Sequence, residues 1–234
     1  MKVGIIGSGG REHALCEALS KSKKISKIYC FPGNAGTQKI AENIDINVDN
    51  FEILKNFVIS KKIELIVVGP EKPLVEGIVD FFENNNILIF GPNKFSSQLE
   101  GSKIFTKKIC DKYKIPTAKF GIFKNIKKAK LFINNTKFPV VVKADGLAAG
   151  KGVYICENKE AAENAIEEIF NGRFGQAKNI LLEEFLVGEE MSYFVVSDGK
   201  ILKNLKQHKI IKEWEKEMLA KTQAEWELIL LHDL

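Results

Sequence analysis

The segment that decides the fold is residues 3–14, VGIIGSGGREHA. Its first four residues are apolar or small and predict a short strand, residues 7–10 form a glycine-rich turn, and a helical period begins at Glu12. Strands that alternate with helices imply a parallel sheet, because parallel neighbours cannot be joined by tight turns.

The same alternation continues through the first hundred residues. It predicts an α/β fold that begins with a small doubly wound parallel-sheet domain over residues 1–100. The predicted strands are residues 3–6, 25–31, 63–68 and 87–90, and the predicted helices are residues 12–20, 51–60 and 74–84.

Each predicted strand ends in a turn that contains glycine. Ligands of open parallel sheets bind at the carboxyl ends of the strands, so these four turns would gather at one edge as a candidate site. Glycine and proline also occur at the ends of strands that carry no functional site, but three of these turns also contain polar side chains. The turns are residues 7–10, 32–36, 69–73 and 91–93, and the added side chains are Asn34, Glu71 and Asn93.

The first turn suits a phosphate, because its N–H groups and the positive end of the following helix are exposed. It is not a dinucleotide fingerprint, since that pattern needs a small residue where Glu12 stands and an acid at the end of the second strand. NAD binding is therefore disfavoured. Arg11 and His13 would ordinarily be a surface charge and a helix-packing residue, but their place in the first turn favours both as site candidates.

A second, α+β domain is expected over residues 101–204. Residues 140–144 and 153–156 are apolar runs joined by a glycine-rich connection without a helix, so they predict an antiparallel hairpin. The other predicted strands are residues 118–123, 179–185 and 191–197, and the predicted helices are residues 102–113, 126–134 and 159–171.

Residues 139–153, PVVVKADGLAAGKGV, are the most informative stretch for chemistry. They are not a Walker A loop, because Asp145 stands where the first glycine belongs and the loop leads into a strand rather than a helix. A hairpin tip of this kind can fold its amides over phosphates while Lys143 directs a cation at them. Alone, Lys143 would be a surface lysine at a strand end. The glycines of this predicted phosphate lid are Gly146, Gly150 and Gly152.

An apolar strand ends in acidic residues, and a second strand begins, within residues 180–192, ILLEEFLVGEEMS. A hinge of this kind offers backbone groups to an adenine edge and a carboxylate to ribose hydroxyls. Four glutamates in eight residues would otherwise indicate a solvated turn. The glycine loop that precedes the segment favours the nucleotide interpretation.

The composition is that of a globular protein, with 45% hydrophobic and 28% charged residues and a net charge of +5. All but two of the 35 basic residues are lysines mixed with acids, which disfavours nucleic-acid binding. No run reaches the roughly 20 apolar residues of a membrane span, so a cytoplasmic protein without a membrane partner is expected.

The spacing of the cysteines predicts free buried thiols. They are Cys16, Cys30, Cys110 and Cys156.

Eight motifs in order along residues 1–204 resemble the phosphoribosylamine–glycine ligase family of the ATP-grasp superfamily. They are GIIGSGGREHA, PGNAGT, VVGPEKPLVEGIVDFF, FGPN, QLEGSKIFTK, IPTA, VVKADGLAAGKGV and EEFLVGEEMS. Another ATP-grasp ligase, such as a biotin-dependent carboxylase component, is disfavoured by the GSGGREHA start.

The resemblance implies two sets of site residues. The set for phosphoribosylamine is Gly9, Gly10, Arg11, Asn34, Gly69 and Glu71. The set for ATP is Lys103, Lys143, Gly146, Gly150, Lys151, Gly152, Glu183, Leu186 and Glu190. A lid subdomain is expected at about residues 118–190.

The resemblance also implies the reaction. ATP and Mg²⁺, with Mn²⁺ as an alternative, activate the glycine carboxylate as glycyl phosphate, and the amine of phosphoribosylamine attacks it to give glycinamide ribonucleotide, ADP and phosphate. A monomer acting on small molecules is implied, with metal ligands beyond the end of this chain. The alternative is an inactive ATP- and phosphate-binding fragment that lacks the metal and glycine site.

Residues 205–234 depart from the family, whose members continue with stretches like QDHKR and NTGGMGAYSP. Back-translation of residues 206–232 in a frame moved by two nucleotides permits TAQDHKRVGEGDVGKNTGGMGAYSPA, so we interpret this tail as an out-of-frame reading. The alternative is a genuine amphipathic helix over residues 206–231, with Ile210, Trp214 and Met218 on one face.

The frame hypothesis predicts one missing T near the codons of Asn204 and Leu205. Resequencing the gene across these codons should find an AATTTTAAA-like run that restores the reading KNFKTAQDHKR. An intact TTT codon followed by this same tail would contradict the hypothesis.

Overall fold

The chain folds into two units. The computed structural model describes residues 1–147, 152–175, 179–188, 191–197, 200–204, 208–209 and 229–230. The first unit contains residues 1–97 and the second begins at residue 98.

The first unit is built on a five-stranded parallel sheet of order β3-β2-β1-β4-β5. Its strands are β1 (Lys2–Gly7), β2 (Lys27–Pro32), β3 (Glu42–Asn43), β4 (Leu65–Val68) and β5 (Leu88–Phe90). Its helices are α1 (Gly10–Ser20), α2 (Phe51–Lys61), α3 (Glu71–Glu76) and α4 (Ile78–Glu83), with a 3₁₀ turn at Thr37–Lys39.

Apolar side chains cover both faces of this sheet. Val3 and Ile5 of β1 pack with Cys16 of α1 on one face, whereas Ile6 packs with residues of α2 and α4 on the other. Successive strand residues point to opposite faces, so the continuously apolar β1 is buried on both sides. The doubly wound fold predicted from the sequence is confirmed.

The single helix predicted over residues 74–84 is wrong. Gly77 has φ +96°, ends α3 and begins α4. A left-handed residue cannot continue an α-helix, and glycine adopts this conformation with little steric cost. The chain therefore turns between two short helices.

The second unit is built on a four-stranded antiparallel sheet of order β6-β9-β7-β8. Its strands are β6 (Phe120–Phe123), β7 (Val140–Ala144), β8 (Val153–Cys156) and β9 (Ile180–Glu184). Its helices are α5 (Gln98–Gly101), α6 (Lys103–Tyr113), α7 (Ile126–Ile133) and α8 (Lys159–Phe170). The antiparallel hairpin of β7 and β8 confirms the prediction from residues 140–156.

Helices α7 and α8 cover one face of this antiparallel sheet. Their apolar residues, Ile133 and Ile166 among them, pack against Val140, Val142 and Leu182. Each helix begins at an asparagine whose side chain accepts a backbone N–H of the first turn, which stabilises the helix start. These two helices do not cover the opposite face of the sheet.

The single strand predicted over residues 191–197 is also wrong, because its two ends pair with different partners. It is divided into β10 (Met191–Ser192) and β11 (Val195–Ser197). The former pairs with β13 (His208–Lys209), and the latter with β12 (Leu202–Asn204) and β14 (Ile229–Leu230). By chain contacts β11, β12 and β14 group with the first unit and β10 and β13 with the second.

The alternative helix over residues 206–231 is contradicted near both ends, where β13 and β14 form ladder hydrogen bonds to other strands. The rest of that helix, residues 210–228, lies outside the described residues.

All four cysteines are free and buried, as the sequence predicted. The sulfur atoms of Cys16 and Cys30 lie 3.0 Å apart in the core of the first unit. Burial raises the pKa of both thiols and raises the pKa of Cys156 to about 11. Thiolates are the reactive form, so these groups are protected chemically as well as sterically.

We therefore expect no rapid reaction of the folded chain with a disulfide reagent such as DTNB at pH 8. A thiol with a pKa of about 11 is ionised in only about one molecule per thousand at that pH. The same protein in guanidinium chloride should release four equivalents at once. Release of one or more equivalents from the folded chain within seconds would contradict the buried placement.

Candidate functional site

The carboxyl edge of the parallel sheet brings the predicted glycine turns together. The Asn34 side chain donates hydrogen bonds to the carbonyl oxygens of Ser8 (2.9 Å) and Gly9 (3.1 Å). Its Oδ1 accepts from the N–H groups of Gly36 (2.7 Å) and Thr37 (3.0 Å). Asn34 therefore ties the turn after β2 to the turn after β1.

Glu12 fills the space between the turns after β1 and β4. Its side chain is buried, and Oε2 accepts the N–H of Gly9 at 2.6 Å. A Cβ added at Gly69 would lie 2.0 Å from Oε1 of Glu12. The sequence showed Glu12 only as the residue that breaks a dinucleotide fingerprint, whereas the structure shows that it shapes this edge.

Arg11 and Glu71 face solvent at the same edge. Nη2 of Arg11 lies 2.7 Å from Oε1 of Glu71, and both side chains are partly exposed. The pair links the start of α1 to the start of α3. Its exposure leaves both groups accessible to a ligand.

The other polar residues of these turns have local contacts. A Cβ at Gly36 would meet the His13 ring at 2.4 Å, so His13 is a helix-packing residue against this turn. Asn93 accepts the N–H of Ser96 at 2.9 Å and closes its own turn. The residues predicted to bind phosphoribosylamine lie at one edge of the parallel sheet in the first unit. They are Gly9, Gly10, Arg11, Asn34, Gly69 and Glu71.

The second candidate site is the face of the antiparallel sheet opposite α7 and α8. Val141 pairs with Glu183, and Lys143 pairs with Leu181. Because side chains alternate along a strand, Lys143 and Glu183 point away from the core formed with the two helices. Nζ of Lys143 lies 2.9 Å from Oε2 of Glu183, with 5% and 4% of the two side chains exposed.

Lys107 of α6 completes this buried group of charges. Its Nζ donates to Oγ1 of Thr117 at 2.6 Å and lies 3.2 Å from Oε1 of Glu183. The sequence alone did not indicate Lys107 as a site residue. The signal that could have found it is the spacing of Ile104, Lys107 and Cys110, the three buried positions of α6, which places a lysine on the apolar stripe.

Lys103 and Asp145 connect the start of α6 to the start of the predicted phosphate lid. Nζ of Lys103 donates to the carbonyl oxygen of Gly146 at 3.0 Å. Oδ1 of Asp145 accepts from Oγ of Ser102 at 3.0 Å and from the N–H of Ile104 at 3.3 Å. The lid and the helix start are thus held together by side chains of both segments.

The remaining residues predicted to bind the nucleotide lie at the β7–β8 hairpin and after β9. Gly152 accepts the N–H of Ala144 at 2.8 Å and closes the hairpin, and Leu186 is 49% exposed after the last residue of β9. Gly150, Lys151 and Glu190 lie outside the described residues.

No group of three or more His, Cys, Asp or Glu side chains that could hold a metal ion occurs among the described residues. In the same part of the chain, no helix is both long enough and apolar enough to cross a membrane.

Comparison with known proteins gives consistent matches along the chain. Residues 1–100 match the family described as Phosphoribosylglycinamide synthetase, N domain. Residues 101–219 match the family described as Phosphoribosylglycinamide synthetase, ATP-grasp (A) domain. The second match extends beyond residue 204, into the segment for which a frame shift is predicted, and that hypothesis stays a prediction.

Individual relatives agree with these families. A phosphoribosylamine–glycine ligase of Brucella melitensis is 49% identical over 201 residues, which are 86% of this chain and 47% of that protein. The crystal structure of the Thermotoga maritima phosphoribosylamine–glycine ligase superposes with a TM-score of 0.74 at 33% identity, covering 88% of this chain and 49% of that chain. The chain thus spans about half the length of the curated relatives it matches.

A likeness of fold alone extends to a biotin carboxylase domain. That domain, from the Hydrogenobacter thermophilus 2-oxoglutarate carboxylase, superposes with a TM-score of 0.69 at 24% identity, covering 88% of this chain and 49% of that chain.

The packing of Glu12 predicts the effect of one methyl group. We expect Gly69→Ala to lower the free energy of unfolding by about 1–3 kcal/mol, the usual cost of overpacking, because the new Cβ would meet the Glu12 carboxylate. Gly10→Ala is the matched control, since a Cβ there has nothing within 4 Å and alanine favours the helix that begins at this residue. Urea-unfolding midpoints and slopes measure both changes.

A double variant identifies the clash. Glu12→Ala combined with Gly69→Ala should lose less stability than the sum of the two single variants, because removing the carboxylate frees the space. Strictly additive losses would show that the two residues do not compete for one volume.

Proposed function

Since the chain belongs to the phosphoribosylglycinamide synthetase family, we propose that it acts in the ATP-dependent ligation of glycine to 5-phosphoribosylamine. A glycine carboxylate oxygen attacks the γ-phosphorus of ATP, which gives glycyl phosphate and releases ADP. The amine of phosphoribosylamine then attacks the acyl carbon, phosphate leaves with the bonding electrons, and the amine loses a proton. The products are glycinamide ribonucleotide, ADP and phosphate.

The observation that carries this proposal is the position of Lys143. It is buried on the sheet face, at the strand that leads into the glycine loop, and Lys103 contacts the first residue of that loop. Fixed cations beside a closing loop neutralise charge on a transferred phosphoryl group. We assign to ATP Lys103, Lys143, Gly146, Gly150, Lys151, Gly152, Glu183, Leu186 and Glu190.

We assign phosphoribosylamine to the carboxyl edge of the parallel sheet. The N–H groups of the first glycine turn and the Arg11 guanidinium suit its phosphate, and the carboxylate of Glu71 suits its amine or ribose hydroxyls. Gly9 and Gly10 would keep the backbone accessible, Gly69 would leave room for Glu12, and Asn34 would hold the two turns in register. This assignment follows the resemblance and the grouping of these residues in the first unit.

We propose Mg²⁺, with Mn²⁺ as an alternative, as the metal that accompanies ATP and balances its phosphate charge. The described residues supply no suitable group of carboxylate or imidazole ligands. We therefore assign no metal ligand in this part of the chain.

We further propose that the enzyme is a cytoplasmic monomer acting on small molecules, without nucleic-acid or membrane partners. The domains proposed are residues 1–100 for the amine substrate and residues 101–204 for ATP. The family matches, over residues 1–100 and 101–219, support the division at residue 100. A second candidate is a chain that binds ATP without completing the ligation. It is motivated by the described residues, among which no group of three or more possible metal-ligating side chains occurs.

ATP binding tests the site. Calorimetric titration of the chain with ATP and magnesium chloride should show binding that Lys143→Met weakens by at least about tenfold, because a buried cation is lost. Lys128→Met is the matched control, since Lys128 is exposed on α7, which covers the other face of the sheet, and it should stay within about twofold. Equal affinity of the Lys143→Met variant and the unsubstituted chain would contradict the assignment.

The reaction is tested by adding glycine and phosphoribosylamine and measuring ADP. Glycine-dependent ADP formation supports the ligase, whereas ATP binding without it supports the second candidate. Absence of ATP binding would overturn both.

A further inference from the structure

Three charged side chains from three elements are buried together on the second unit's sheet face. Lys107 of α6, Lys143 of β7 and Glu183 of β9 are each at most 7% exposed. Two ammonium groups and one carboxylate carry a net charge of +1. Buried charges are costly unless they are paired. How one carboxylate is shared between two cations therefore affects the charge that each cation presents to a ligand.

The two oxygens of Glu183 face different lysines. Oε2 lies 2.9 Å from Nζ of Lys143, and Oε1 lies 3.2 Å from Nζ of Lys107. Oε1 accepts no hydrogen bond from the residues that the structure describes. The attraction of the Lys107 charge is therefore what holds this oxygen.

Lys107 is itself fixed from the side away from Glu183. Its ammonium donates to Oγ1 of Thr117 at 2.6 Å and to the carbonyl oxygen of Ala118 at 3.4 Å. It also lies 5.5 Å from the centre of the Phe120 ring, a favourable cation–π distance. Phe120 is directly opposite Glu183 in the sheet, so the ring and the carboxylate share one face.

We propose that Lys107 is a positioning residue for nucleotide binding, which holds one oxygen of Glu183 and thereby prevents Glu183 from neutralising Lys143. Without Lys107, both oxygens of Glu183 can turn to Lys143 and form a neutral pair. With Lys107, one oxygen of Glu183 is held away from Lys143, so Glu183 competes less with an anionic ligand for that ammonium group. This inference rests on the proposed role of Lys143 in binding ATP phosphates.

The test is a double-mutant cycle in the 234-residue chain, read by calorimetric titration with ATP and magnesium chloride. Lys107→Met should weaken ATP affinity by about tenfold, the size of a typical close charge interaction, and Lys107→Arg should restore most of it. The matched control is Lys108→Met, because Lys108 is exposed on the same helix, and it should change affinity by less than about twofold.

The Glu183→Gln background separates this role from a direct one. If Lys107 acts through Glu183, Lys107→Met should change affinity by less than about twofold once Glu183 has lost its charge. An equal loss in both backgrounds would show that Lys107 acts on the nucleotide directly and would overturn the proposal. No loss in either background would overturn it as well.

Folding of each variant is checked by circular dichroism, and Lys107→Gln replaces Lys107→Met if the latter does not fold. If the unsubstituted chain binds no ATP, the proposed function fails and the inference fails with it. If that chain binds ATP and the neutral Lys107 variants bind it equally well, only the inference fails.

Discussion

In the part of the chain that the structure describes, each unit contains one buried carboxylate that must be paired. In the first unit it is Glu12, which accepts the N–H of Gly9 and fills the gap beside Gly69. In the second it is Glu183, which lies between two lysines. An unpaired buried carboxylate is strongly destabilising, so the surrounding turns and strands must supply donors or cations, and these same segments carry the proposed ligand-binding groups.

The sequence predicts most of the fold, because strand and helix periods are local properties. Strands β7 and β8 occur at the predicted residues, since apolar β-forming runs bounded by glycine leave little choice of register. The predictions were wrong where the backbone conformation of one residue, or pairing with a distant strand, determines the structure. Gly77 ends one helix and begins another, and β10 and β11 pair with separate strands.

The site is predictable where its residues follow strands, because the topology then fixes their edge. Asn34 and Glu71 belong to this class, and so does Lys143 on its strand. Glu12 and Lys107 do not, since their roles come from packing against Gly69 and Glu183, which are far away along the chain. A spacing rule within one helix identifies a buried position but cannot identify the partner across the fold.

The hydrogen bonds of Asn34 have a consequence for how this edge tolerates sequence drift. The four partners of its side chain described above are all main-chain atoms, of Ser8, Gly9, Gly36 and Thr37. The exposed side chain of Ser8 can therefore be exchanged while the register of the two turns is kept, whereas a side chain added at Gly36 would meet the His13 ring. A single amide thus holds the two turns together through main-chain atoms, and a protein engineer could vary position 8 without removing these hydrogen bonds.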